Sequence, residues 1–185
     1  SGFRGDPWGR LSRTSRFLAV TTYGTADDAR AAVDRVRIRH ERVRGTTSAG
    51  VPYHAADPHL LAWVHVAEVD SFLRAYDVYG AESLDDEQRD GYVADTARVG
   101  AALGVIDPPT TTEELRTRLD AYRPELAGTA ESREAVRFIV WNPPVPWIQR
   151  PAYGVLAAAA IGLMPRWSRL PLRLPYLPVA EATVV

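Results

Sequence analysis

Apolar positions in the first part of the chain recur on a helical period. Between Thr25 and Gly45 (TADDARAAVDRVRIRHERVRG) they are Ala29, Val33, Val36, His40 and Val43. Steps of four, three, four and three residues return to one side of a 3.6-residue helix. Thr25 opens this helix, with Asp28 three positions on and Asp27 at the positive end of the helix dipole. Ahead of it, residues 10–23 predict a shorter helix, basic in its first half, with Gly24 as a left-handed cap. After Gly45 the stretch TTSAGVPYHAADP reads as a loop. Asp57 and Pro58 then start a long helix that ends at Tyr79, before Gly80. Its first half (Leu60, Leu61, Trp63, Val64, Val66, Ala67, Val69) is apolar nearly all round, as in an enclosed central helix.

The later pattern is looser. Ser83 as cap, Asp85, Asp86 and Glu87 in the first turn and Gly104 as terminator predict a helix with a stripe of Leu84, Tyr92, Val99 and Leu103. Residues 111–126 form a helix with Leu115, Leu119 and Tyr122 inward. Residues 130–142 form another, with Ala135, Phe138, Ile139 and Trp141 buried. The 12-residue run Gly154–Pro165 reads as a buried helix, too short for the ~18–20 residues that span a bilayer. A tail of Pro, Arg and Leu follows. No segment alternates as a strand should, and no repeat is evident. The expectation is an all-α, multi-helix single domain over residues 1–185, with a central buried helix and a proline-rich C-terminal tail.

Composition narrows the function classes. A hydrophobic content of 46% against 24% charged residues suits a globular chain. The net charge of −1 argues against a general nucleic-acid binder, because no positive field gathers phosphates. All 22 basic residues are arginine, which reads as genomic base composition. With no cysteine, disulfides, thiolate metal sites and cysteine nucleophiles are excluded, so any metal is held by nitrogen or oxygen. Neither an initiator Met nor a signal-peptide pattern opens the chain. It is read as lacking N-terminal residues of the full protein and as cytoplasmic, with peripheral membrane contact as an option.

Four histidines carry what metal chemistry there is: His40, His54, His59 and His65. His54 and His59 share a loop and make a poor zinc pair, since zinc needs three or four converging ligands. His65 lies mid-helix, with Glu68 three residues on, and needs a partner if buried. His40 admits two readings: a hydrogen-bonded core imidazole, or a ligand to a metal or haem iron. No phosphate loop, dinucleotide fingerprint, HExxH or local serine-hydrolase context is present.

Three segments in order add a resemblance. They are Arg10-Leu11-Ser12-Arg13-Thr14 with Tyr23-Gly24-Thr25; His40, Val43, Arg44 and Gly45 with Gly50, Tyr53, Ala55, Asp57 and Pro58; and Leu61-Ala62-Trp63-Val64-His65 with Asp70-Ser71. Together, over residues 6–125, they resemble the catalytic domain of the MpaB-like oxygenase and latex-clearing-protein (rubber oxygenase) family. The resemblance implies an all-helical fold, haem b, and His40 as the axial iron ligand. Arg10 and Thr14 then match the Arg and Thr of the family's distal Arg-x-x-Lys-Thr motif, with Arg13 in place of the Lys. Arginine stays charged and does not ligate iron, so a lysine-capped resting haem is not expected. Arg37 and Arg44, with Arg10 and Arg13, are candidates for the propionates, and His65 for a supporting place beside the cofactor.

The function implied is a haem b-dependent oxygenase-like protein that uses O2 on an apolar, isoprenoid-like small molecule. A haem-free helical binding or interaction domain is the alternative. A third reading places Trp167 and Leu170 of the tail at a membrane interface.

Overall fold

A computed structural model of the chain describes residues 5–47 and 49–175. The fold is all-α apart from one small hairpin, as the periodicity predicts. By contact the chain divides into two compact units. The first combines the stretch ending at Asp70 with Leu84–Tyr122; the second combines Ser71–Ser83 with the stretch from Arg123 onward.

Unit one holds α1 (Pro7–Tyr23), α2 (Ala26–Arg42), β1 (Arg44–Thr46), β2 (Pro52–His54), the first half of α3 (Pro58–Tyr79), α4 (Asp86–Leu103) and α5 (Thr112–Tyr122). α2 packs against both α1 and α4, and α4 packs against α5. Side-chain caps set most of these boundaries. The Thr25 hydroxyl accepts from Asp28 N and donates to the Asp28 carboxylate (2.8 Å). Asp57 accepts from His59 N at 2.9 Å ahead of Pro58. Gly104, at φ 108°, is the left-handed terminator of α4, a conformation that disfavours any side chain.

Several expectations are corrected. α1 begins at Pro7, three residues early, because Asp6 caps it by accepting from Gly9 N (2.8 Å). Gly24 is extended (φ −81°, ψ 176°), not left-handed; a Cβ there would sit 2.6 Å from the Val20 carbonyl oxygen. α2 stops at Arg42, and the following stretch, read as a loop, pairs as an antiparallel hairpin with Arg44 opposite His54. Asp85, not Ser83, caps α4, in a reciprocal box with Gln88. The buried line of α4 is Val93, Ala97 and Gly100, one step round from the Tyr92–Val99–Leu103 stripe, whose members are half-buried. α3 is buried along Ala62, Val66, Val69 and Leu73, while Leu60 and Val64 stay exposed, so burial lies along one side.

The core of unit one is Ala32 and Val33 from α2, Ala62, Val66 and Val69 from α3, Val93 and Ala97 from α4, and Leu115 and Tyr122 from α5. A cross-link that sequence spacing hides joins two helices. Asp90 of α4 accepts from both the backbone and the hydroxyl of Thr112 (2.8 Å each) and so caps α5.

Unit two contains the second half of α3, a 3-10 turn at Arg123–Glu125, α6 (Ala130–Val136), a π-helical turn (Arg137–Trp141), a 3-10 turn (Trp147–Gln149), α7 (Arg150–Leu163) and α8 (Arg166–Arg169). Its buried residues include Leu73, Val145, Ile161, Leu174 and Arg169. The Arg169 guanidinium is satisfied by the carbonyls of Gly162 (2.8 Å) and Met164 (2.7 Å), at the negative end of α7. Ile139 and Trp141, expected inside, are exposed, and the Ala-rich helix buries only Ile161. The far end of the tail, residues 176–179, lies outside the described residues.

Val66 has no accessible surface, whereas Val64 is more than half exposed. Val66→Ala is expected to lower the unfolding free energy by about 2 kcal/mol. Val64→Ala is expected to change it by less than ~0.5 kcal/mol. Urea denaturation of the two variants checks this; equal losses would contradict the assignment of the core.

Candidate functional site

His40 occupies the last turn of α2. Its carbonyl accepts from Val43 N (3.1 Å) where the helix ends, and the hairpin then folds back on this terminus. Ala55 N donates to the Val43 carbonyl (2.9 Å), and His54 Nε2 lies 3.2 Å from the Glu41 carbonyl oxygen. His54 therefore braces the end of α2. His59 packs its ring on Tyr122 (4.8 Å between centroids), whose hydroxyl donates to the His59 carbonyl at 2.9 Å. Both loop histidines have structural contacts, and no group of three or more His, Cys, Asp or Glu converges on a metal position among the described residues.

The other two histidines are different. His40 is half-buried, and its Nδ1 is buried with no hydrogen-bond partner. His65, half-buried in the middle of α3, has a buried, unpartnered Nε2. Loss of solvent pushes both imidazoles below the ordinary pKa of 6.5, so each is neutral near pH 7. A neutral imidazole keeps one ring nitrogen unprotonated, which is the form an iron ligand takes. One axial nitrogen suffices for haem, because the porphyrin supplies the equatorial four. On these grounds His40 and His65 both fit the group, and α2 carries arginines beside His40.

His65 depends on Gly100 of α4. A Cβ at Gly100 would stand 2.9 Å from the imidazole Cε1 and Nδ1, so the absence of a side chain there makes room for the ring. One turn along α3, Glu68 keeps part of its surface in solvent, yet its poorly solvated carboxyl is raised above the usual range. Tyr92 of α4 is raised as well, chiefly by burial and then by the Glu68 charge.

Arg10, Arg13 and Thr14 share α1, which has no buried residue. All three are exposed. Arg13 is 3.2 Å from Asp6, whose pKa is lowered first by the Gly9 N–H and then by Arg13. Asp6 is the residue that sequence reasoning passed over, although Asp6-Pro7 repeats the signal of Asp57-Pro58. Arg37 and Arg44 are exposed, on α2 and β1. A shallow depression of about 740 Å³ lies elsewhere in unit one, between Asp107 and Ala121, and includes none of these residues. Its lining is that of an ordinary helix start, at the beginning of α5.

Over residues 1–185 the sequence matches a family described as the catalytic domain of ER-bound oxygenase mpaB/B′ and rubber oxygenase. The chain belongs to this oxygenase family. The match takes in the α6–α8 region as well as the segments that carried the resemblance. Uncharacterized proteins of Mycobacterium bovis and Mycobacterium tuberculosis are each 32% identical over 156 residues, covering 80% of this chain. The match takes in 58% of the length of each relative. No solved structure matches. Among the described residues no helix is long and apolar enough to cross a membrane.

Two outcomes follow from the His65–Gly100 contact and the desolvated imidazole. Gly100→Ala is expected to destabilise by roughly 1–3 kcal/mol, and much less when combined with His65→Ala. Additive losses in that double-mutant cycle would contradict the contact. With its folded pKa below 6.5, His65 binds fewer protons folded than unfolded. Stability is therefore full above about pH 6.5 and falls as the pH drops below it. His65→Gln is expected to flatten part of that fall, read as denaturation midpoints at about pH 7.5 and about pH 5.5. An unchanged pH slope would contradict it.

Proposed function

We propose that the protein is a haem b-dependent oxygenase-like enzyme that uses O2 on an apolar, isoprenoid-like small molecule, with His40 as the axial iron ligand. The observation that carries this reading is the half-buried, neutral imidazole of His40, whose buried Nδ1 has no hydrogen-bond partner, in a chain of an oxygenase family. Arg37 and Arg44 are the residues we assign to the propionates, through charge-assisted hydrogen bonds. Bound haem would supply the electron transfer and O2 chemistry that no side chain here can.

The chain's own residues have separate tasks in this reading. His40 stays neutral because its surroundings disfavour the imidazolium. Arg10 and Thr14 are assigned to orienting O2, the one by fixed charge and the other by a hydroxyl. Arg13 is held by Asp6 and keeps its charge, so it serves α1 and not iron. His65 supports the site from α3, its ring set by Gly100. An apolar substrate dissolves in membranes, so peripheral contact of an otherwise cytoplasmic protein belongs to the same reading. The exposure of Arg10, Arg13 and Thr14 favours the second reading, a haem-free helical binding or interaction domain.

The two readings differ in the absorption spectrum. The full-length protein is expected to show a Soret band that His40→Ala removes and added imidazole restores in part. His65→Ala is expected to keep the band with a shifted maximum. A folded His40→Ala variant with an unaltered spectrum would overturn the ligand assignment.

A further inference from the structure

Large apolar side chains of unit two meet solvent in unusual number. Trp147 is 80% exposed, Ile148 70%, Val155 70%, Leu156 69% and Leu170 85%. Trp147 and Ile148 form the 3-10 turn that leads into α7. Ile148, Ala152, Val155 and Leu156 then follow at intervals of four, three and one, which keeps them on one side of the helix. The inward side runs through Tyr153, Ala157 and buried Ile161. Tyr153 donates its hydroxyl to the Ile139 carbonyl (2.7 Å), which joins α7 to the π-helical turn with exposed Ile139 and Trp141.

Charge in this region is one-sided. From Ala135 to Pro175 there is no Asp or Glu, but there are five arginines: Arg137, Arg150, Arg166, Arg169 and Arg173. Arg169 is turned inward on the end of α7, whereas Arg137, Arg150 and Arg173 are exposed. The chain as a whole is at −1, so this stretch is a local concentration of positive charge. A second copy presenting the same side would oppose like charge to like. An anionic lipid surface is complementary in both respects: headgroups for the arginines, and an apolar layer for the indole and aliphatic side chains. α7 has 14 residues and is about 21 Å long, shorter than the ~30 Å hydrocarbon core, so it suits lying on a bilayer.

We propose that the exposed apolar side of α7 docks on an anionic phospholipid surface, with Trp147, Ile148 and Leu156 entering the interface and the net positive charge of this stretch drawing it to the headgroups. The proposal rests on the peripheral-contact reading above and is independent of haem. It moves the contact away from Trp167, which lies under the Arg123 guanidinium at 5.1 Å.

Vesicle flotation of the full-length protein tests it, with phosphatidylcholine alone and with phosphatidylglycerol added. Binding is expected on the mixed vesicles, to fall as salt rises, and to be weak on the neutral ones. The double variant Ile148→Ser/Leu156→Ser is expected to lose at least tenfold in binding, and the triple variant Arg137→Gln/Arg150→Gln/Arg173→Gln roughly fivefold, with a shallower dependence on salt. Trp167→Ala is expected to bind nearly as wild type. All these positions are exposed, so circular dichroism should be unchanged, and haem content is read on the same samples. A folded protein that ignores mixed vesicles, variants that bind equally, or equal binding to neutral vesicles would overturn the proposal. Self-association abolished by the double variant, with no vesicle binding, would assign the surface to a second copy instead.

Discussion

A buried imidazole nitrogen without a partner costs on the order of 1–3 kcal/mol, a large fraction of a domain's net stability. Among the described residues the fold tolerates this twice, at His40 Nδ1 and His65 Nε2. Neither is an accident of loose packing. His40 is fixed by the end of α2 and the hairpin that returns to it, and His65 is seated on Gly100, where any larger residue would meet the ring. Desolvation keeps both neutral, which removes the heavier cost of burying a charge and leaves a lone pair available. In a family of oxygenases, such a group has an obvious use.

The residues legible in the sequence are those whose signal is local. Thr25 with Asp28, Asp57 with Pro58, and Gly104 are each satisfied by neighbours within four positions, so spacing alone places them. His40 stood out because one imidazole interrupted an apolar stripe, and the structure gives it half-burial, though Val43 at the end of that stripe is largely exposed. The failures were of another kind. Gly24 was assigned a left-handed turn, but what excludes a side chain there is the Val20 carbonyl. Asp90 capping Thr112 joins positions 22 apart, and no local window sees it. Ile139, Trp141 and the Gly154–Pro165 run are expected inside because apolar residues usually are; exposure is a property of what surrounds them.

In the proposed reading the two units carry different parts of the function. Unit one holds every residue assigned to the cofactor: His40, His65, Arg10, Arg13, Thr14, Arg37 and Arg44. Its α1 has no fully buried residue, and the match takes in only 58% of the length of the mycobacterial relatives. Unit two holds the exposed apolar and arginine-rich surface. An enzyme acting on a lipid-soluble substrate has need of both, a buried neutral ligand and a means of resting where the substrate dissolves. In the proposed reading Arg13, paired with Asp6, serves α1, because a permanent cation does not ligate iron.

Haem content of the full-length protein, measured as the pyridine haemochrome after purification from haem-replete cells, tests the role of His40 most directly. Close to one haem b per folded chain is the predicted result. A folded protein that carries none, and takes up none when haem is added, would contradict it.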